Sequence, residues 1–396
     1  MRCEKGCKLR KFCKRYDLIL IGTGVVSVGA LKAILDNAQQ TLLNKKILII
    51  QDIRDKIQTY DNNQILRKLG SLGNAPYWHG VYPTDKVRNV NELVVGPKSG
   101  RKKYIFVPLR APSPALLKEK LKKFENVDLL AGVVTELKEE GDFVNVRLSD
   151  QRIILANNIF MCSGLIGTAN ILGSSGLFGP TCVVGDHLCG FAGVYSKAFI
   201  ENKFSIQLKS KKMQDGYLFP YIENDDQNLM IMFRPARLEM KNANEQIRTG
   251  PSYGKSKINL LFYLLKNRKF GRLIEALELK FGSRFSSEYY SLHFQYECKA
   301  AFQLDLMSEQ IKKIFDNDEE LKKITQILNN DFSLSPPPDQ SLYHGTHLFG
   351  ANAHLQNTFN GKVKILDSFA MESIGGTHHS VRMMERAYEI ISKALK

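Results

Sequence analysis

The chain has 396 residues, 43% hydrophobic and 24% charged, the balance of a folded soluble protein with one large or two interleaved domains rather than of a disordered one. Its formal charge of +16 invites a polyanion, but the lysines are spread along the whole chain and no nucleic-acid motif is present, so a specific nucleic-acid partner is not expected. The charge reads as solvated surface, helped by anionic substrates or an anionic membrane face. Seven cysteines, an odd number in a chain that needs no staples, argue against a disulfide framework and for a reducing compartment, with the cytoplasm expected.

Residues 1–15, MRCEKGCKLRKFCKR, form a basic leader whose Cys3, Cys7 and Cys13 lack an obvious fourth metal ligand. Tyr16 to Leu35 then reads as strand, glycine turn and helix, with the turn at Gly22-Thr23-Gly24. Such a turn lets a pyrophosphate approach backbone N–H groups at a helix N-terminus, although Ser27 stands at the third glycine position of a dinucleotide motif. Leader and apolar run together imitate a signal peptide, but Lys45 to Ile50 continues as a second buried strand, the sequel a nucleotide fold needs. That strand ends at Gln51-Asp52. Gln51 sits where an acid would meet an adenosine ribose, and either Asp52 substitutes for it or an amide makes the contact.

Leu72 to Asp85 carries Gly, Pro, the single Trp78 and His79, a composition expected of a structured loop. A connector follows over residues 91–125, with an amphipathic run from Ala115 to Phe124. Val127 to Leu137, Phe143 to Leu148 and Arg152 to Leu155 read as a β-meander, and Asn158 to Gly164 as another buried strand ending in a small-residue turn, where the nucleotide domain resumes. Several short strands are expected over Ser196 to Leu238, a basic helix over Ser256 to Lys280, a strand over Tyr289 to Leu306 and a helix over Ser308 to Leu328. Pro336-Pro337-Pro338 ends this second unit. Lys362 to Leu366 is then a strand, and Val381 to Leu395 an amphipathic helix. No stretch reaches the length of a membrane span.

The last segment holds His344, His347, His354, His378 and His379, five of eight histidines. Adjacent histidines rarely chelate one ion and no acidic ligand is interleaved, which disfavours a metal. Structural histidines in glycine-rich loops are the plainer alternative. Acid–base catalysis, with an imidazole taking a proton from a substrate hydroxyl, is the favoured reading.

The order of these pieces resembles the glucose–methanol–choline family of FAD-dependent oxidoreductases over most of the chain except the leader and the middle unit. Tyr16 to Leu35 matches that family's glycine turn, Met161 to Gly179 (MCSGLIGTANILGSSGLFG) its most specific stretch, and Val183 to Leu188 (VVGDHL) the element after it. Trp78-His79-Gly80 is similar to its flavin-side loop, Tyr343 to Thr346 to its His-x-x-Gly-Thr signature, Lys364 to Phe369 (KILDSF) to its Asp-Ala-Ser turn, and Gly376 to Ala387 to its closing pattern. Gln51 and Gly73-Asn74 depart from that pattern, and the chain is short for it.

The resemblance implies a Rossmann-like α/β domain interleaved with a smaller α+β substrate domain, with the FAD-binding parts at 16–90, 126–195 and 339–396 and the substrate domain at 196–338. Gly22, Gly24, Ser27, Gln51, Asp52, Trp78, Val134, Ser163, Gly164 and Asp367 would then hold FAD. His344 would accept the hydroxyl proton while hydride leaves for the flavin, and His378, or else His379, would bond the same oxygen. The expected substrate is a polar alcohol, a sugar or sugar derivative. The alternatives are a lipid- or sterol-like alcohol, or a catalytically silent nucleotide-binding protein with a polyanion-binding surface. The electron acceptor stays open.

Overall fold

A computed structural model describes residues 14–39, 45–52, 54, 57–60, 64–68, 82–84, 104–108, 113–177, 179–206, 208, 211–212, 216–241, 244–248, 289–306, 310–334, 343–344, 348–350, 352–377 and 379–396. The chain opens with β1 (Arg15–Ile21), α1 (Ser27–Gln39) and β2 (Ile47–Gln51), then the hairpin β3 (Ile57–Tyr60) and β4 (Gln64–Lys68). Next come β5 (Tyr82–Thr84), β6 (Tyr104–Pro108), α2 (Pro114–Leu121), β7 (Val127–Ala131), β8 (Val134–Glu140), β9 (Phe143–Leu148), β10 (Ile153–Met161) and α3 (Gly164–Ser174). The middle of the chain gives β11 (Thr181–Ser196), α4 (Lys197–Phe204), β12 (Lys211–Lys212), β13 (Gly216–Glu223), β14 (Leu229–Lys241), β15 (Asn244–Arg248), β16 (Tyr289–Asp305), β17 (Gln310–Lys313) and α5 (Asn317–Phe332). The last elements are β18 (Tyr343–His344), β19 (Asn357–Thr358), β20 (Val363–Ile365) and α6 (Ser380–Leu395).

The fold is α/β with a second, antiparallel sheet. In the first sheet β7, β2, β1, β10 and β20 lie side by side and run parallel, while β8 and β9 form the meander that returns to β10. The period-two pattern of β1 and β2 explains the layering. Leu18, Leu20, Ile47 and Ile49 face α1 and α6, and Ile19, Ile21, Leu48 and Ile50 face the meander and α3. Each such side chain, fully buried, contributes about 1.5–3 kcal/mol.

Helix α6 lies against α1 without a spacer. A Cβ at Gly29 would sit 1.8 Å from the Met384 carbonyl oxygen, so the two helices meet at their backbones there. The amphipathic pattern of α6 places Met383, Ala387, Ile391 and Leu395 in this contact layer.

The second sheet runs β18, β11, β16, β14, β13, β6, β5. Its spine is the long antiparallel pair β11 and β16, with register shifts between Val184 and Asp186 and between Phe191 and Gly193. Ile324, Leu328 and Phe332 of α5 pack on Leu292, Phe294 and Phe233 of this sheet. One apolar cluster runs from Ile159 and Met161 of β10 into Val184, Leu188 and Phe302 of β11 and β16, so the two sheets share a core.

Several elements differ from the sequence reading, each for a local reason. Ile153 to Met161 is one strand rather than two, because its first half pairs with β9 and its second with β1 and β20. Residues 310–313 pair with β16, and the helix expected from Ser308 starts at Asn317, where the Asp316 carboxylate accepts from the N–H groups of Asp318 and Glu319. Lys197 to Phe204 is a helix where strands are expected, capped by the Ser196 hydroxyl on the Phe199 N–H. The second sheet takes over at Thr181 rather than at 196, and it also claims Tyr104–Pro108 from the expected connector, whereas Pro114–Leu121 packs with the first sheet and α1. Residues 1–13 of the leader, the Ser256 to Lys280 segment, the proline run, Trp78 and His378 lie outside the described residues.

Candidate functional site

The parallel sheet changes winding direction between β1 and β10. From β1 the chain crosses through α1 to β2 on one side, and β20 adds to β10 on the other. In open α/β sheets ligands bind outside the carboxyl ends of the strands at such a point. Both strands end in a glycine turn there, Gly22-Thr23-Gly24 and Cys162-Ser163-Gly164, and the turns touch: the Cys162 N–H donates to the Ile21 carbonyl at 2.7 Å. Gly22 has φ +94°, and a Cβ on it would lie 2.5 Å from the Cys162 carbonyl oxygen. Left-handed backbone and lack of room require glycine here for separate reasons.

Ser27 takes the third glycine's place without pointing outward. Its side chain is fully buried and its hydroxyl donates to the Gly24 carbonyl at 2.6 Å, closing the first turn of α1. No acidic residue occupies that first turn, so the α1 N-terminus keeps the positive end of its helix dipole uncompensated, whereas the Asp367 carboxylate meets the Gly164 N–H that opens α3.

At the carboxyl end of β2 the Gln51 side-chain Oε1 accepts from Lys118 Nζ at 2.8 Å. Lys118 is buried, and that burial lowers its pKa. Asp52 turns onto Arg54, whose Nε reaches Oδ1 at 3.1 Å and whose Nη2 reaches Oδ2 at 2.7 Å, so its carboxylate is already bound by a guanidinium. The carboxyl end of β2 therefore presents an amide and an ammonium. Val134 is buried opposite Leu148, and the neighbouring Val133 carbonyl accepts from the Ser149 N–H at 2.8 Å.

Asp367 follows β20 and joins the same place from the third side. Its Oδ2 accepts from Thr168 at 2.6 Å and its Oδ1 from the Phe369 N–H at 3.1 Å, and the Gly164 N–H also hydrogen-bonds it. Thr168 in turn contacts the Ser163 hydroxyl at 2.8 Å. Burial pushes Asp367 up to about 6 against the opposing pull of these bonds and of the Arg386 charge. Arg386 Nη2 is buried without a hydrogen-bond partner. The N-terminus of α1, free of acidic residues in its first turn, and an unsatisfied guanidinium nitrogen suit an anionic pyrophosphate, so the residues present fit FAD.

The second half of the site is a buried polar cluster between the two sheets. His379 is 5% exposed at the start of α6, and its ring lies edge-on to that of His187 at 5.8 Å. His187 is fully buried on β11. Its Nε2 lies 2.6 Å from the Gly375 carbonyl and its Nδ1 2.9 Å from Gln295 Nε2, which also donates to the Gly376 carbonyl at 2.9 Å. Glu297, two residues along β16, accepts from the Ser373 hydroxyl at 2.7 Å and the Ile374 N–H at 3.0 Å, and from the Gly375 N–H. The loop just before His378-His379 is thus tied to the second sheet. The backbone of His344 pairs with Leu188, the residue after His187, which brings its strand to this cluster.

His187, Gln295, Glu297 and Arg386 were not among the residues the sequence singled out as site residues. Ser291, His293, Gln295 and Glu297 alternate with apolar residues, a pattern that ordinarily marks a strand with one wet face. Here Ser291, Gln295 and Glu297 are buried. Four polar residues at period two in a long apolar strand are the signal that was available.

No protein-family profile and no curated protein matches the chain. Among solved structures it is similar to an Aspergillus oryzae formate oxidase studied for FAD modification, at 10% identity over 97% of this chain and 98% of that one with a TM-score of 0.49. It is also similar to a fungal aryl-alcohol oxidase, at 11% identity over 96% and 99% with a TM-score of 0.48. An oxidoreductase from Agrobacterium tumefaciens aligns at 12% identity over 38% of this chain with a TM-score of 0.21, and the chain spans 37% of its length.

Proposed function

We propose that the chain is an FAD-dependent oxidoreductase of the glucose–methanol–choline type that oxidises a CH–OH group of a polar alcohol, a sugar or sugar derivative. The observation that carries this reading is the meeting of two glycine turns at the winding switch between β1 and β10, with Asp367 and the start of α6 closing the same place. The N-terminus of α1, Gln51 and Arg386 would hold the dinucleotide. Bound FAD supplies two-electron acceptance from the carbinol carbon.

The chain's own residues handle the proton. His344 accepts it from the substrate hydroxyl, and the His378-His379 pair bonds the oxygen as it becomes a carbonyl.

Anaerobic addition of sugars and simple alcohols to FAD-loaded protein tests this. Bleaching of the flavin absorbance by a polar alcohol, slowed about 100-fold or more in His344→Ala with FAD still bound, is the expected result. Yellow protein bleached only by sterol-like alcohols would move the substrate class, and bleaching by none would leave a silent nucleotide-binding protein.

A further inference from the structure

We propose that His187 is the positioning residue for His379 at the start of α6, acting as a neutral imidazole of fixed tautomer. The inference rests on the reading of His379 as the group that bonds the substrate oxygen. Hydrogen-bond directions in the cluster follow from its two ends. A carbonyl oxygen can only accept, so Gln295 must present its NH2 group to Gly376, and the other hydrogen of that group points at His187 Nδ1. Nδ1 therefore accepts. The remaining proton of a neutral ring must sit on Nε2, where it donates to the Gly375 carbonyl at 2.6 Å. The Gln295 carbonyl lies 3.9 Å from the Cys189 thiol, a weak donor that leaves the direction unchanged.

This chain of bonds has one consequence for the turn. Gly375 and Gly376 are gripped from the carbonyl side by His187 and Gln295 and from the N–H side by Glu297 and the Gln227 carbonyl, at 2.8 Å for the last. Gly375 and Gly376 can move only if that clamp opens. The His187 ring also forms the wall against which the His379 ring rests. An imidazole suits this place better than an amide or a phenyl group, because it combines a donor, an acceptor and a flat face in one side chain. Among the described residues the charged groups facing the cluster include Glu297 from β16 and Asp186 from β11, whose Oδ1 accepts from the His187 backbone N–H at 2.7 Å; His379 faces it from α6.

The test is nitrogen NMR of the full-length protein with labelled histidine, with His379 assigned by its loss in His379→Gln. Wild-type His187 should appear as the neutral Nε2–H tautomer; an Nδ1–H or charged ring would overturn the proposal without any variant. In His187→Phe the His379 resonances and their pH titration should shift, and in His187→Gln, which keeps a donor for Gly375, they should return most of the way. Turnover should fall about 10- to 100-fold in kcat for His187→Phe with KM changed less than about threefold. Folded His187→Phe protein with unmoved His379 signals would refute the positioning role. Absence of alcohol turnover in the wild type, with the tautomer and shifts as expected, would refute the catalytic reading and leave the positioning role standing.

Discussion

At the scale of single residues, Asp367 is the group whose chemistry is most constrained by its surroundings. Burial raises its pKa to about 6 from an unfolded value near 4, so between those two values the folded state holds a proton that the unfolded state has released. Stability from this group is therefore greatest below about pH 4 and declines as pH rises to about 6, by an amount on the order of 3 kcal/mol. Asp367→Asn should remove that decline. The amide can still accept from the Phe369 N–H, and its NH2 can donate to Thr168 once that hydroxyl turns toward Ser163. The check is the difference in urea-unfolding free energy between wild type and variant at pH 4 and pH 7; a difference independent of pH would contradict the assignment. Gly22 makes a second residue-scale case. Gly22→Ala combines a left-handed φ with a Cβ placed inside the Cys162 carbonyl, and should cost at least about 1–3 kcal/mol while abolishing FAD uptake.

At the scale of elements, the contact between α1 and α6 is what holds the last segment of the chain in place. The first helix and the last are separated by the whole sequence, and they meet through Gly29. Gly29→Ala forces them apart and should cost more than the roughly 1–3 kcal/mol of ordinary overpacking, seen as a lowered Tm together with weakened FAD binding even though Gly29 is not proposed to touch the dinucleotide. An unchanged Tm would show that the helices slide freely. Elements of this kind were legible where the pattern was long and regular: β1, β2, β9 and α6 follow from runs of apolar residues at period two or 3.6. Those set by local capping or by partners distant in sequence were not. The Asp316 cap sets the start of α5 beyond Ser308, and β10 stays a single strand because β9, next to it in sequence, and β1, 140 residues away, claim its two halves.

At the scale of the whole molecule, the candidate site lies where one sheet abuts another, and the sequence showed its halves unequally. The glycine turns and the Asp367 turn could be read as residues, since backbone geometry there demands particular side chains. The cluster of His187, Gln295 and Glu297 could not, because burial of a polar strand face depends on what covers it, and the cover is the loop at Ser373 to Gly376. The ribose end was read as a contact by Gln51 or Asp52, whereas Lys118 and Arg54 engage those side chains. No helix among the described residues is long and apolar enough to cross a membrane. All three chain segments that converge on the β1–β10 switch are proposed to form a single dinucleotide site. Titration of the apoprotein with FAD, followed by quenching of flavin fluorescence, addresses that claim most directly. One equivalent bound by the wild type and none by Gly22→Ala is the predicted result, and wild-type protein that takes up no FAD would contradict the account.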